Sequence, residues 1–354
     1  MKTIIKIVVV MLLTGLAAFG GFLAWATLTD YKPGAVEKLP VTGDGLPSVS
    51  IGDTIRLLTW NIGYAGLGKE MDFFYEGGKR VRPSSHEYQQ YMKGVLKSLA
   101  NSDSTDFVLL QEVDRKSKRS YYTDEVARID SLFDGYSSAF ASNYDVGFVP
   151  VPSSEPMGSV LAGITTLSRY RTVDATRVAF PSSYDWPKRL FMLDRCFLLT
   201  RYKLAGGKSL VIINTHNSAF GDAADMRRQE LALLRKTMGE EFAKGNFVIV
   251  GGDWNQNPLP FDPATVDDGN KAQRITPPVP GDFLPKGWVW AFDPKRATNR
   301  NVNEPFQKGH TLTTIIDFFV LSPNLKLLEV KTLLQDFNFS DHQAVQLQVS
   351  FIRK

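Results

Sequence analysis

Six short apolar runs in this chain each carry an amide, an acid or an imidazole, and in five of them that residue stands at one end. "LLTWN" closes on Asn61, "VLLQE" on Glu112 and "VIINTH" on His216. "VIVGGDWN" closes on Asp253 and Asn255, "TIIDFFV" contains Asp317, and Asp341 and His342 lead into "QAVQLQV". A single carboxylate after a strand is most often a cap or a turn former. Six such runs constrain the fold more tightly. Strand ends of a packed sheet converge on one rim, where binding and catalytic residues collect.

The segments between these runs supply the rest of an architecture. "SSHEYQQYMKGVLKSLA" reads as an amphipathic helix opened by Ser84 or Ser85, and "YTDEVARIDSLF" as a second helix. "DAADMRRQELALLRKTMGEEFAKG" reads as a long helix ending at Gly245. "SVLAGITTLSRY" and "DRCFLLTRYKL" read as strands, the latter pairing with "KSLVIINTH" through a Gly206-Gly207 turn. Strands and helices interleave but hairpins occur too, which predicts mixed sheets. The stretch from Pro258 to Pro305 has little periodicity and reads as long loops. With 354 residues, 43% of them hydrophobic, the chain can bury a sizeable core. Its single cysteine, Cys196, excludes an intrachain disulfide or a thiolate metal cluster. Cys196 lies in the strand-like "RCFLLTRY" and reads as a buried, inert thiol.

The residue types at the strand ends suit one chemistry. Asn, Glu and Asp are hard oxygen ligands, which favour Mg²⁺ or Mn²⁺ over Zn²⁺. Two histidines can donate to phosphate oxygens or move protons near neutral pH. Phosphoryl transfer asks for little else than a metal, a positioned water and donors for developing charge.

Taken in order, "LLTWNIG", "LLQEVD", "GITTLSRY", "NTHNS", "GGDWNQNP", "IDFFVLS" and "FSDH" resemble the motifs of the endonuclease/exonuclease/phosphatase superfamily, the deoxyribonuclease I-like fold. They span residues 57 to 342. The resemblance implies an α/β (α+β) fold: a four-layer sandwich of two mixed β-sheets flanked by helices. It also implies hydrolysis of a phosphate ester, since known members cut nucleic acids, inositol phosphates and sphingomyelin. Carried over residue by residue, Asn61 and Glu112 would hold the main divalent cation, and Asp341 would bind metal or orient a neighbour. Asp253 would orient or deprotonate the attacking water, or bind a second ion. Asn255 would donate to the transition-state phosphate. His342 would contact a phosphate oxygen with Asp317 holding its imidazole, and His216 would contact phosphate or assist the leaving group. One ion or two are both compatible with the family.

Other polar residues stay open. Arg195 could bind phosphate bidentately or be a sheet-edge charge. Tyr144 in "NYDVGF" and His310 in "KGHTLT" could touch substrate, while His86 reads as solvated on a helix surface. The run Asp114 to Tyr122, "DRKSKRSYY", reads as a solvated loop that could meet an anionic headgroup or nucleic acid.

The amino terminus sets location. Lys2 and Lys6 precede an uncharged run from Ile7 to Thr29. As a helix this run is roughly 34 Å long, enough for a hydrocarbon core of about 30 Å. Residues 1–29 therefore read as a membrane-spanning signal anchor, or as a signal peptide cleaved near Ala26, where Ala24-Trp25-Ala26 has small residues at the right places. Lysines before the run keep that end cytoplasmic and place the rest outside the cytoplasm. Residues 30–52 read as a linker or peripheral wrap, and 53–354 as the catalytic domain.

The net charge is +4, and without residues 1–30, which hold Lys2, Lys6 and Asp30, it is +3. That is modest for a groove that grips polynucleotide phosphates. The favoured expectation is an exported, membrane-tethered phosphodiesterase acting on a lipid headgroup or another small phosphate ester. An extracytoplasmic nuclease acting on DNA or RNA is the alternative, and a non-catalytic phosphate-binding module is a second one. The oligomeric state is not legible.

Overall fold

The computed structural model describes residues 1–352 except 44, 103, 182, 220–223, 270–273 and 275. Its elements begin with α1 (Lys2–Leu28), β1 (Val36–Lys38), β2 (Thr54–Asn61), α2 (Ser85–Ala100), β3 (Phe107–Asp114) and α3 (Glu125–Leu132). Then come β4 (Ser137–Val149), β5 (Gly158–Ser168), β6 (Asp174–Ala179), β7 (Cys196–Lys203), β8 (Ser209–His216) and α4 (Ala224–Ala243). The chain closes with β9 (Phe247–Asp253), β10 (Val289–Ala291), β11 (Asn299–Arg300), β12 (Thr313–Thr314), β13 (Asp317–Leu321), β14 (Leu325–Thr332) and β15 (Val345–Phe351).

Two large sheets form, ordered β1-β6-β7-β8-β9-β13-β10 and β14-β15-β2-β3-β5-β4. Each holds one parallel pair, β8 with β9 and β2 with β3, and all its other pairs are antiparallel. Each parallel pair is joined by a helical crossover, through α4 or α2, as parallel neighbours require. The sheets are therefore mixed, and the expected sandwich is present.

Alternation along the central strands explains why they read as continuous apolar runs. Ile55 and Leu57 of β2 face Leu210 and Ile212 of β8 in the core between the sheets. Leu58 and Trp60 face the other way, onto Tyr88, Met92 and Val95 of α2. Val211 and Ile213 likewise turn outward onto Leu231, Leu234 and Met238 of α4. Strands buried on both faces carry no polar stripe. A buried amide pair also bridges the sheets: Gln111 Nε2 donates to Asn214 Oδ1 at 2.7 Å, and Asn214 Nδ2 to the Thr165 carbonyl at 2.9 Å.

Helix α2 starts as its sequence predicts, at Ser84, whose hydroxyl accepts from Glu87 N–H while the Glu87 carboxylate accepts from Ser84 N–H. The expected β7–β8 hairpin turns at Gly206 and Gly207, both with positive φ. The start of the long helix reading, residues 222 and 223, lies outside the described residues. Two expectations change. The last strand begins at Val345, whereas His342 makes only an isolated bridge to Asn299. The stretch from Pro258 to Pro305 is mostly irregular but contains β10 and β11. Residues 30–52 lie along the domain, with β1 extending the larger sheet and Val49 buried in the inter-sheet core.

Candidate active site

The ends of the two parallel pairs meet. From the larger sheet, His216 on β8 is the register partner of Asp253 on β9, and Asp253 is in turn the partner of Asp317 on β13. From the smaller sheet come Asn61 at the end of β2 and Glu112 on β3. The Ser340–His342 segment before β15 closes the ring. Ser340 Oγ donates to the Asn61 carbonyl at 2.8 Å, and Trp60 Nε1 donates to the His342 carbonyl at 3.0 Å.

Local irregularities aim these side chains. Between Leu110 and Val113 of β3 two residues oppose one on β5, a β-bulge, and Glu112 within it has φ +52. A left-handed glutamate is uncommon and marks a position that the surrounding structure over-determines. Asn255, just beyond β9, has φ +51. Gly252 allows β8 and β9 to approach: its φ is +145, and a Cβ there would lie 2.0 Å from the Thr215 carbonyl oxygen.

The geometry is a connected network. Asn61 Nδ2 donates to Glu112 Oε1 at 3.2 Å and to Asp253 Oδ2 at 3.0 Å. The Asn61 oxygen accepts from Gly63 N–H, so its nitrogen, not its oxygen, faces the carboxylates. Asp253 Oδ1 accepts from Asn255 N–H at 2.9 Å, and Asn255 Nδ2 donates to the Asn217 carbonyl. His216 Nε2 lies 3.6 Å from Asp253 and 3.9 Å from Glu112. His342 Nδ1 is 2.8 Å from Asp317 Oδ2, and its Nε2 lies 3.0 Å from Asn299 Nδ2, 3.7 Å from Asp253 and 3.9 Å from Asp341.

Burial polarises these groups. It pushes the Asp253 carboxyl up to about 6 and the Asp341 carboxyl up to about 7, against the pull of His342. Burial, reinforced by Arg195 and His342, drives His216 well below the usual imidazole value. At His342 burial acts in the same direction, but Asp317, Asp341 and Asp253 outweigh it and hold the imidazole well above its ordinary value.

A cavity of about 570 Å³ opens over this network. It is lined by Glu112, His216, Asp253, Asn255, Asp341 and His342. Apolar side chains such as Phe73, Met157, Met192 and Leu193 also line it. Arg195 and Tyr144 line it as well: Arg195 Nη1 donates to the His216 carbonyl, and the Tyr144 hydroxyl to the Phe191 carbonyl. His310 is not brought in. It is exposed, 3.3 Å from Glu304, and absent from the cavity wall. His86 is exposed, as expected.

The run Asp114 to Tyr122 corrects the expectation of a solvated loop. Asp114 and Arg119 are buried, joined by two hydrogen bonds at 2.8 and 3.1 Å. The Arg119 guanidinium lies 3.7 Å over the Tyr64 ring, and both line the cavity. The Tyr64 hydroxyl is buried with no hydrogen-bond partner among the described residues. Arg119 and Tyr64 therefore join the site, and Arg274 lines the same cavity. The only sequence signal for Arg119 was its place seven residues after Glu112.

The acids present fit a divalent cation. Glu112, Asp253 and Asp341 offer hard oxygen donors. Two of them are buried carboxyls whose ionisation is costly until an opposite charge arrives. Donor atoms of Asp253, Asp317 and His342 also lie within 4.8 Å of one another. Asp317 is engaged with the His342 ring, so that second group reads better as an orienting network.

Two mixed sheets between helices, with acids, amides and imidazoles converging where the parallel pairs end, define the four-layer hydrolase fold. The Endonuclease/Exonuclease/phosphatase family matches residues 58–342, and the chain belongs to that family. Its members typically hydrolyse phosphate esters and generally use divalent metal ions. No curated protein matches the chain. Among solved structures, an endonuclease/exonuclease/phosphatase from Beutenbergia cavernae is similar at 17% identity, over 84% of this chain and 72% of that one, with a TM-score of 0.51. D. rerio TDP2, complexed with single strand DNA product, is similar at 14% identity over 84% and 99%, with a TM-score of 0.53. A family member from Bacteroides vulgatus is similar at 15% identity over 84% and 99%, with a TM-score of 0.51. At these identities the likeness is one of fold.

Proposed function

We propose that this chain is an exported, membrane-tethered, divalent-metal-dependent phosphodiesterase acting on a lipid headgroup or another small phosphate ester. The observation that carries this reading is the convergence of Glu112, His216, Asp253, Asp341 and His342 on one cavity, with Asn61 and Asp317 hydrogen-bonded behind them. Glu112, Asp253 and Asp341 would hold Mg²⁺, or Mn²⁺, as one ion or two; Asn61, expected as a ligand, turns its nitrogen to Glu112 and Asp253 and instead fixes them. The ion supplies positive charge against the phosphate when bound.

The chain's own residues do the rest. Asp253, fixed by Asn61 and by Asn255 N–H, orients the attacking water and takes its proton. The water oxygen forms the new P–O bond, the ester P–O bond breaks, and the departing alkoxide takes a proton from solvent. His342 donates from Nε2 to a phosphate oxygen, and Asp317 holds its ring through Nδ1. His216 and Asn255 donate to the remaining oxygens. The apolar side chains in the cavity lining lower the local dielectric, which strengthens these contacts.

Export and tethering rest on α1, which is long and apolar enough to cross a membrane. A nuclease is the second reading; the similar fold of TDP2 was solved with a single strand DNA product, and the modest net charge weighs against it here. The test is a hydrolysis panel of the full chain in detergent with Mg²⁺: plasmid DNA, single-stranded RNA, sphingomyelin, phosphatidylinositol and inositol phosphates. Turnover of lipids or small esters alone supports the reading. Turnover of polynucleotide alone replaces it, and turnover of none removes it.

A further inference from the structure

The end of α1 does not leave the domain freely. Phe22 stacks on Phe191 at 5.7 Å and meets Phe148 edge-on at 6.1 Å. A Cβ on Gly147 would lie 3.2 Å from the Trp25 ring. Trp186 Nε1 donates to Thr27 Oγ1 at 3.2 Å, and Arg189 lies 3.5 Å from Asp30. The two segments holding α1 also build the cavity. Residues 184–193 continue into Met192 and Leu193 on its wall, and the β4–β5 hairpin carries Tyr144 and Met157 there.

Helix length fixes the depth of these contacts. Crossing a hydrocarbon core of about 30 Å takes about 20 helical residues. Counted from Lys6, the last charged residue before the apolar run, that span ends near Ala26. Stopping before Phe22 would leave the helix several ångströms short. Phe22 and Trp25 therefore lie at the bilayer boundary, and the Phe148 and Phe191 rings they touch lie at the same depth. Among the residues touching α1, Trp186 is 54% and Phe148 37% exposed, and Val151, three residues beyond Phe148, is 42% exposed. Aromatic side chains of this kind settle at a headgroup layer, where one end is apolar and the other wet.

We infer that this rim is a membrane-contact surface, and that it opens the cavity onto the bilayer in which α1 is anchored. The substrate is then a phospholipid taken from that bilayer, its phosphate reaching Asp253 and His342 while its acyl chains remain in the membrane. This rests on the proposed phosphodiesterase reading and narrows its substrate.

The test uses the full chain in vesicles of equal parts phosphatidylcholine and phosphatidylglycerol. Two rates are followed, hydrolysis of the vesicle lipid and of the soluble ester bis(p-nitrophenyl) phosphate. F148S/W186S changes two exposed side chains outside the catalytic network. It should keep the soluble-ester rate within about twofold while vesicle hydrolysis falls tenfold or more. A separate measurement needs no activity. A fluorophore on Val151→Cys should be quenched by lipids carrying a nitroxide near the headgroup, and one on Lys326→Cys, on the opposite edge strand β14, should not. Cys196 is buried and stays unlabelled. Equal quenching at the two positions, unchanged vesicle hydrolysis in F148S/W186S, or a mature chain lacking residues 1–26 would each overturn the inference. Hydrolysis of the soluble ester without vesicle lipid also overturns it but leaves the phosphodiesterase reading standing. Hydrolysis of neither substrate removes both.

Discussion

His342 shows what a residue-scale reading can and cannot reach. Its pairing with Asp317 makes one functional unit, since the carboxylate fixes the ring that faces the cavity. His342→Ala should lower kcat by about 10²–10⁴-fold with little change in KM, because the lost contact is made mainly during transfer. Asp317→Asn should act in the same direction but more mildly. The double mutant should be no worse than His342→Ala, since both changes disable one unit. Tm should move little in either single mutant; a large Tm loss with normal kcat would instead mark a structural pair. Both residues were visible in the sequence as polar groups flanking apolar runs. Arg119 was not, because "DRKSKRSYY" is charge-dense and aperiodic, and only the fold shows that Asp114 neutralises it under cover. The bulge that re-aims Glu112 was equally silent, since a bulge is defined by the partner strand.

At the scale of elements, the central strands were legible because burial on both faces leaves uninterrupted apolar runs. Edge strands were not: β1, β4 and β14 each pair on one side only and carry mixed polarity. Helix α2 also positions the site from behind. A Cβ on Gly94 would lie 2.2 Å from the Phe339 ring, one residue before Ser340. Gly94→Ala gains about 1 kcal/mol of helix propensity but overpacks at a typical cost of about 1–3 kcal/mol. The variant should therefore lose stability, and kcat should fall with it as Phe339 shifts the Ser340–His342 segment. A stabilised, fully active Gly94→Ala protein would mean that Phe339 moves freely.

Helix α4 is tied to β7 by Glu241. Hydrogen bonds from Arg201, then Lys244 and Asn246, hold the Glu241 carboxyl down at about 2, against a partial opposing effect of burial. Its folded value lies below the unfolded value of about 4.3, so its contribution is complete above that pH and is lost as pH falls toward about 2. Glu241→Gln should destabilise the protein at pH 7 by on the order of 1–3 kcal/mol, and the gap to wild type should close between about pH 4.5 and 2. Urea midpoints measured across that range check the sign; a gap that widens on acidification contradicts it.

At the scale of the whole molecule, α1 and the cavity belong to one arrangement, with the end of α1 packed on segments that also line the cavity. The proposed topology, with the domain outside the cytoplasm, rests on Lys2 and Lys6 before the apolar run. A reporter fused after Lys354 should be active only when exported, and cytoplasmic activity would reverse the orientation. The order of motifs made the family legible, yet nothing local could show that the end of α1 packs against the segments that lead into the cavity wall. Contacts such as Phe22 with Phe191 join residues far apart in sequence.

The central claim is that the carboxylate cluster and His342 form one metal-dependent phosphodiesterase site. The direct measurement is turnover of bis(p-nitrophenyl) phosphate by the full chain in detergent, after exhaustive EDTA treatment and after return of Mg²⁺ or Mn²⁺. The account predicts that EDTA abolishes turnover, that Mg²⁺ or Mn²⁺ restores it, and that neither restores it in folded Glu112→Gln or His342→Ala protein. Full turnover after chelation, or normal metal-restored turnover in either variant, would contradict it.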